Sequence, residues 1–211
     1  VASVHGKFIG IQYNTQTFRN VASTNTDRDE MQSISVNLRW SIQRWRLMAR
    51  VPFQMNQRVT ARETLRANGV GDAALLFGYA VFDKLKHYLE FFVGFEANNG
   101  VYDTKLHESE LPINFNPGNG SWSALTMVNG RWNLGSRALV YGCQMRLNDQ
   151  AVNGYQFGHQ WTGYLFYTKT WFVTTVQVQP NLGLFGEWVA LDHYGNEVNV
   201  HGTGAEAIYG T

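Results

Sequence analysis

The sequence has 211 residues and a formal net charge of +1, with 16% charged and 14% aromatic residues. This small charge gives no electrostatic basis for binding nucleic acid, and the single cysteine excludes an intramolecular disulfide and a cysteine-rich zinc site. Soluble domains carry about 25% charged residues, whereas this chain is poor in charge, rich in aromatic residues and still polar on average, with a mean hydropathy of -0.28. A β-barrel that meets lipid on one face and a polar interior on the other fits that composition.

The sequence predicts one domain, residues 1–211, without a transmembrane helix. A membrane-spanning helix needs a run of about 20 apolar residues, and no such run is present. The chain begins with Val1 and shows no signal peptide. We interpret it as a mature or trimmed chain, because a barrel of the outer membrane has to be exported.

The first predicted strands alternate strictly between apolar and polar residues, which is typical of a strand with two different faces. A weak pattern at residues 7–18 is followed by the clearest one, at residues 31–42. Its apolar face consists of Ile34, Val36, Leu38, Trp40 and Ile42, and its polar face of Ser33, Ser35, Asn37, Arg39 and Ser41. A helix would mix the two sets, because its faces recur every 3.6 residues.

The same alternation continues toward the C-terminus. It is clear at residues 45–56, 87–96 and 174–187. Weaker versions occur at residues 72–82, 121–134, 137–148, 157–168 and 202–211. Together these segments predict about ten strands, most of them long enough to cross a bilayer, which takes about 9–11 tilted residues.

Short and long connections alternate without exception between these segments. The short connections lie near residue 43 and at residues 83–86, 135–136 and 169–170. The long polar connections lie at residues 19–30, 57–69, 98–120, 149–155 and 192–201. Outer-membrane barrels have short periplasmic turns and long external loops. The pattern therefore predicts an all-β, antiparallel up-and-down transmembrane β-barrel of a Gram-negative outer membrane, with a periplasmic N-terminus.

Lipocalin-like barrels and sandwiches are the soluble alternative, since they also contain alternating strands. The apolar faces of this chain, however, run the full length of several strands, and tryptophans lie near the strand ends. These tryptophans are Trp40, Trp45, Trp122, Trp132, Trp161, Trp171 and Trp188. Aromatic residues at both ends of the strands form the interfacial girdles of membrane barrels, so the pattern favours the membrane barrel.

Several short motifs carry a family resemblance. They are residues 8–13 (FIGIQY), 68–72 (NGVGD), 116–122 (NPGNGSW), 154–158 (GYQFG), 202–204 (GTG) and 209–211 (YGT). In the order and spacing of these motifs, the sequence resembles the outer-membrane barrel family related to the MetA-pathway of phenol degradation proteins, especially its Bacteroidetes members. The resemblance implies an outer-membrane location and a transporter-like role, and it supplies no catalytic residues.

The sequence departs from that family at two points. Asn119 stands where the family usually has Thr, and the chain stops before the family's final aromatic-ended strand segment; if the C-terminus is truncated, twelve strands are expected. Independently of the resemblance, we interpret the motifs as structural. Gly69 and Gly71 can adopt positive φ at the rim, where Asp72 can accept hydrogen bonds from backbone N–H groups. The longest loop is expected to take its tight return from Pro117, Gly118 and Gly120.

Polar residues of the inward faces are the best functional candidates. As lining or constriction of the interior, the pattern predicts Arg39, Arg46, Arg50, Glu90, Glu96, Arg131, Arg146, Gln177, Gln179, Glu187 and Glu206. One interpretation is a salt-bridged plug, because buried charges need partners. The other is a charged constriction that selects solutes. We favour the plug, since long side chains cross much of the narrow interior of a barrel of about ten strands.

Metal binding and hydrolysis are weaker candidates. Metal ligands could come from His107, Glu108, Glu110, Asp192, His193 and His201, but their spacing matches no known metal motif. A rim protease would use Asp103, Asp192 and His193, and a lipid-facing hydrolase would use His159, yet no serine lies near it and no G-x-S-x-G motif is present. The sequence therefore predicts no metal, no cofactor and no enzymatic activity.

Three functional hypotheses remain, in descending order: passive transport or binding of a small solute, apolar ones included; a structural or interaction barrel within an outer-membrane complex; and a surface hydrolase. The expected partners are the lipid bilayer with its lipopolysaccharide, a small solute, and an outer-membrane or periplasmic protein. No nucleic acid is expected. Cys143 falls on an outward row with Tyr141 and Met145, where it is expected to be an inert apolar residue.

Overall fold

The computed structural model describes residues 7–19, 28–59, 64–103, 115–151, 153–173, 176–195, 197–199 and 205–210. The strands are β1 (Phe8–Arg19), β2 (Arg28–Ile42), β3 (Trp45–Val59), β4 (Thr64–Val70), β5 (Ala74–Asp83), β6 (His87–Glu96), β7 (Ser123–Leu134), β8 (Arg137–Asn148), β9 (Tyr155–Gln156), β10 (Gln160–Lys169), β11 (Trp171–Val173), β12 (Val176–Val178), β13 (Asn181–Val189), β14 (Asp192–Tyr194), β15 (Glu197–Asn199) and β16 (Ala205–Gly210). In these ranges, no helix has the length and apolar character needed to span a membrane.

One antiparallel sheet contains the long strands in chain order. Its path is β1-β2-β3-β5-β6-β7-β8-β10-β13-β16, with β4 paired to the outer part of β3. Every ladder along the path is antiparallel. Within the described residues, the path has ten strands and β1 makes no ladder with β16. The predicted all-β, antiparallel up-and-down fold class is confirmed.

The sheet is strongly curled, as contacts between distant strands demonstrate. Arg39 on β2 contacts Glu90 on β6, although β3 and β5 lie between these strands. Neighbouring strands are about 4.8 Å apart, so a flat sheet would separate β2 from β6 by roughly 14 Å. Only a concave face brings the two side chains together. We call this concave face inward and the opposite face outward.

The two faces differ in polarity along the whole sheet. On β2, Ile34, Val36 and Trp40 are exposed on the outward face, whereas Ser35 and Arg39 are buried on the inward face. All seven tryptophans are exposed. Trp40, Trp45, Trp132 and Trp171 lie toward the short turns, and Trp122, Trp161 and Trp188 lie toward the long loops. The outward face therefore has an apolar belt with tryptophans at both edges, as expected for girdles.

Two predicted connections are different in the structure. The predicted loop at residues 57–69 is largely a hairpin, because β3 continues to Val59 and β4 returns along it. The predicted short turn at residues 169–170 leads instead into a separate hairpin of β11 and β12, so residues 174–187 do not form one strand. The long strand β13 begins only after Pro180, which lacks the N–H that a central ladder requires.

Candidate functional site: a layered interior

A cluster of buried charges lies near the short turns, and we call it the Glu90 layer: Arg39, Arg46, Tyr88 and Glu90. Glu90 is only 1% exposed. Arg39 donates from Nη1 to Glu90 Oε1 at 3.0 Å and from Nη2 to Oε2 at 2.5 Å, a bidentate geometry that is among the strongest polar contacts in proteins. Arg46 lies on the other side, with Nε 3.6 Å from Glu90 Oε2, and the Tyr88 hydroxyl donates to the same oxygen.

Further hydrogen bonds connect the Glu90 layer to neighbouring strands. Arg46 Nη2 lies 3.3 Å from Asp83 Oδ2, so the second guanidinium also has a carboxylate partner. Asn129 on β7 donates to Glu90 Oε1 at 3.3 Å and accepts from the Tyr164 hydroxyl of β10 at 2.8 Å. The network therefore reaches from β2 to β10 across the inward face. Because its members satisfy one another, it has the properties of a plug.

An apolar cluster, the Phe92 layer, comes next along the inward face: Ala74, Leu76, Phe92 and Leu125. Met48 and Met127 pack against it. Phe92 is 0% exposed although it lies on the polar side of the sheet. This layer is an apolar level within an otherwise polar inward face.

A second charged cluster, the Glu96 layer, lies toward the long loops: Arg50, Glu96 and Arg146. Glu96 accepts from Arg50 Nη2 at 3.0 Å and from Arg146 Nη2. Its side chain is 4% exposed, whereas that of Arg50 is 45% exposed. Strand β6 contributes to all three layers in order, with Tyr88 and Glu90, then Phe92, then Glu96, because every second residue of a strand faces the same way.

The two described ends of the long loop between β6 and β7, residues 97–103 and 115–122, lie over the mouth of this interior and are held there by Asp72. Asp72 is buried and accepts from the backbone N–H of Gly100 at 2.8 Å and of Asn119 at 2.6 Å. Asn119 Nδ2 in turn donates to Glu96 Oε1 at 3.4 Å. The predicted role of Asp72 as an acceptor for backbone donors is confirmed, and the two motifs at residues 68–72 and 116–122 meet at this point.

The glycines of these motifs serve close packing. Gly69 and Gly71 do not have positive φ, contrary to the prediction, whereas Gly120 has φ of 67°. A Cβ at Gly71 would lie 2.8 Å from the carbonyl oxygen of Pro117, and one at Gly118 would lie 2.8 Å from the carbonyl carbon of Gly100. The loop can approach the rim only because these positions lack side chains.

Hydrogen bonds also connect separate loops with one another. Tyr102 accepts from Asn153 Nδ2 at 3.2 Å. Burial raises the pKa of the Tyr102 phenol more than this hydrogen bond lowers it, so the phenol stays protonated at neutral pH. Asp192 accepts from the Tyr155 hydroxyl and, at 2.6 Å, from the backbone N–H of Gly158. The loops after β6, β8 and β13 are thus connected to one another by hydrogen bonds.

A polar cavity of about 220 Å³ lies between the Glu96 layer and this loop. Its lining comprises Gln12, Asn14, Ser33, Ser35, Arg50, Pro52, Gln54, Asp72, Glu96, Pro117, Asn119 and Arg146. Strands β1, β2 and β3 contribute five uncharged polar residues, together with Arg50 and Pro52. The remaining residues of the lining are Asp72, Glu96, Arg146 and two loop residues, Pro117 and Asn119. This cavity is the candidate functional site, because it combines buried polar groups from several strands at one opening.

The remaining predicted interior residues lie apart from these layers. Arg131 is half-buried and its Nε donates to Asn133 Oδ1 at 2.7 Å. Glu187 lies opposite Thr162 in the ladder of β10 and β13, and Gln179 donates to Thr168 Oγ1 at 3.3 Å. The side chains of Gln177 and Glu206 lie outside the described residues.

Glu206 lies opposite Trp188 in the ladder of β13 and β16. Its predicted place among the interior side chains stays a prediction.

The candidate metal and hydrolase residues do not form a centre in the described part of the chain. There, no group of three or more His, Cys, Asp or Glu residues is arranged for a metal ion. Asp192 accepts hydrogen bonds from the Tyr155 hydroxyl and the backbone N–H of Gly158. His159 accepts from the backbone N–H of Asn148 at 3.2 Å. His107, Glu108, Glu110 and His201 lie outside the described residues.

Sequence reasoning missed several members of the site. Tyr88, Phe92 and Asn129 lie on inward rows, but none carries a formal charge, and most of the predicted interior residues are charged. Asn119 was predicted only as a departure from a family pattern. Their shared signal is strand alternation, which places all the strand members on one face.

The fold is similar to that of the COG4313 outer membrane channel from Pseudomonas putida F1. The TM-score is 0.68 with 15% sequence identity, and the alignment covers 98% of this chain and 80% of that channel. At this identity, the likeness establishes the fold alone. No protein-family model matches the sequence, and no curated protein matches it either.

Proposed function

We propose that this chain is an outer-membrane β-barrel that binds a small solute and lets it pass without an energy source. The observation that carries the proposal is the division of one curled sheet into an apolar outward belt and an inward face of buried, paired charges. A sheet with water on both sides would not need a belt of exposed apolar side chains. Lipid on the outside and a narrow interior account for both faces. The similarity in fold to an outer membrane channel supports the same proposal.

Orientation and family are part of the proposal. The short turns between β2 and β3, β5 and β6, and β7 and β8 lie at one end, and the long connections lie at the other. Short turns face the periplasm in bacterial barrels, which puts the N-terminus there and the polar cavity at the cell surface beside lipopolysaccharide. The family related to the MetA-pathway of phenol degradation proteins fits this arrangement.

In this proposal, the cavity is the entrance and the deeper layers are the barrier. A solute would first meet the Glu96 layer, then the Phe92 layer and finally the Glu90 layer. The Glu96 layer contains the exposed guanidinium of Arg50, whereas the Phe92 and Glu90 layers are buried. The apolar layer opposes ions and water most strongly, so we expect a low conductance in the unmodified protein.

Replacing Phe92 with Ala should raise the single-channel conductance in planar bilayers several-fold, because it removes the largest side chain of the apolar layer. Phe91 is the matched control, since it is the neighbouring residue on β6 and is exposed on the outward face. Phe91→Ala should leave the conductance unchanged. Loss of a core phenylalanine costs about 3–5 kcal/mol of stability, so heat-modifiable gel migration must first verify that each variant is folded. Equal conductance in both variants would argue against this barrier.

The outward face can be tested for lipid contact through Cys143, the sole cysteine. Its thiol is exposed on the outward face of β8. A nitroxide attached there should collide with oxygen, which concentrates in lipid, far more often than with a water-soluble nickel complex. The comparison is Ser33→Cys in a Cys143→Ser background, an inward position beside the polar cavity. A higher nickel accessibility at Cys143 than at this comparison position would contradict the membrane assignment.

A structural barrel is the second candidate, and the buried Glu90 layer favours it. Its side chains fill the inward face from β2 to β6 with satisfied polar contacts. A filled interior would suit a scaffold that holds another outer-membrane or periplasmic protein. Absence of conductance in both the unmodified protein and Phe92→Ala, together with a stoichiometric copurifying protein, would support the scaffold over the transporter.

A further inference from the structure

We propose that the polar cavity at the long-loop end binds an uncharged, hydroxyl-rich solute about the size of a single sugar ring. This inference rests on the proposed transport function and specifies its substrate class. The composition, charge balance and size of the cavity each support it.

Most side chains that β1, β2 and β3 contribute to the cavity are uncharged and both donate and accept hydrogen bonds, and Arg50 on β3 is the charged exception. Gln12, Asn14 and Gln54 carry amides, and Ser33 and Ser35 carry hydroxyls. An amide has two donor hydrogens and an acceptor oxygen, and a hydroxyl does both with one atom. Sugar hydroxyls have the same double capacity, so they can pair with either type. Several of these groups have one partner within the protein, such as Asn14 for Gln12 and Asn56 for Gln54, and retain further donors or acceptors. An apolar solute would leave this remaining capacity unused, which costs about 1–3 kcal/mol for each buried group that loses its water.

The charges around the cavity balance. Two guanidiniums, those of Arg50 and Arg146, face two carboxylates, those of Glu96 and Asp72. Glu96 is held by both arginines, and Asp72 is held by two backbone N–H groups. An anionic solute would meet the carboxylates and a cationic one the guanidiniums, so neither gains a net attraction. A hydroxyl can accept from a guanidinium and donate to a carboxylate without disturbing that balance.

The size of the cavity limits the solute. Its volume of about 220 Å³ lies below the roughly 300–1,000 Å³ typical of pockets for drug-sized ligands. The Arg50 side chain is 45% exposed, so one charged donor remains accessible from the opening. Asn119, which lies on the loop between β6 and β7, lines another side of the cavity and donates to Glu96 Oε1. A monosaccharide or a short polyol meets these limits, whereas an oligosaccharide does not.

The test is saturation-transfer NMR on the full chain in detergent micelles, with glucose, sorbitol, succinate, putrescine and toluene as separate probes. We expect transfer to glucose and sorbitol only. Gln54→Leu should weaken the apparent affinity for glucose about fivefold, the effect of one lost hydrogen bond. Gln32→Leu is the matched control, because Gln32 lies on the opposite row of the sheet, in register with Met55, and it should leave glucose binding unchanged.

Transfer to succinate, putrescine or toluene that falls in Gln54→Leu would overturn the assignment of an uncharged polar solute. Absence of transfer to glucose and sorbitol would also overturn it. The proposed transport function is judged separately by the conductance of Phe92→Ala. A conducting Phe92→Ala without sugar binding would therefore remove the substrate class and leave the transporter in place.

Discussion

Glu90→Gln should lower the free energy of unfolding by about 3–5 kcal/mol, the usual result of removing one partner from a buried ion pair. The carboxylate neutralises Arg39 and contacts Arg46, and the side chains of all three are at most 6% exposed. In Glu90→Gln, the Arg39 guanidinium loses its counterion and one of its two acceptor oxygens, in a place that water reaches poorly. Arg46 is less affected, since it retains Asp83.

The measurement is urea unfolding of the protein refolded in lipid vesicles, followed by heat-modifiable gel migration. Asp29→Asn is the matched control, because Asp29 also forms a bidentate pair with an arginine, Arg58, at 2.6 and 2.7 Å. That pair is partly exposed, so its loss should cost only about 0–1 kcal/mol. The double variant Arg39→Gln with Glu90→Gln should be more stable than Glu90→Gln alone. Equal losses in Glu90→Gln and Asp29→Asn would show that the layer is not a buried plug.

Asp72→Ala should release the loop between β6 and β7 from the mouth of the interior. Its two carboxylate oxygens accept the backbone N–H groups of Gly100 and Asn119, and each buried hydrogen bond to a charged group contributes about 1.5–3 kcal/mol. Losing both removes the attachment of two loop segments at once. The loop should then open locally while the strands stay paired, because no ladder hydrogen bond involves the Asp72 side chain.

Hydrogen exchange read by mass spectrometry measures this effect. The amides of Gly100 and Asn119 should exchange at least ~30-fold faster in Asp72→Ala, as expected for a loss of about 2 kcal/mol in local opening free energy. Asp149→Ala is the control, since Asp149 accepts one backbone N–H, that of Gln150, at an exposed position. Unchanged exchange in Asp72→Ala would mean that the loop is held by its other contacts, such as the hydrogen bonds from Val101 N–H to the Val70 carbonyl and from Asn119 to Glu96.

Strand alternation in the sequence was enough to predict the fold class, because lipid and a narrow interior demand opposite residues on the two faces of each strand. Ile34, Val36 and Trp40 lie outward as their period-2 pattern predicts, and Arg39 lies inward. The same rule was insufficient to predict ladder partners. Residues 174–187 alternate clearly, yet they divide into β12, which pairs with β11, and β13, which pairs with β10.

The sequence by itself determined which side chains face the interior and which face away, since alternation is a property of each strand alone. Only the tertiary structure decided which of the inward residues meet. Arg39 and Glu90 are 51 residues apart, and Asp72 and Asn119 are 47 apart. Such contacts depend on the curvature of the whole sheet and on a loop that returns over its rim. Both arise from packing between distant segments, and no local pattern specifies that packing.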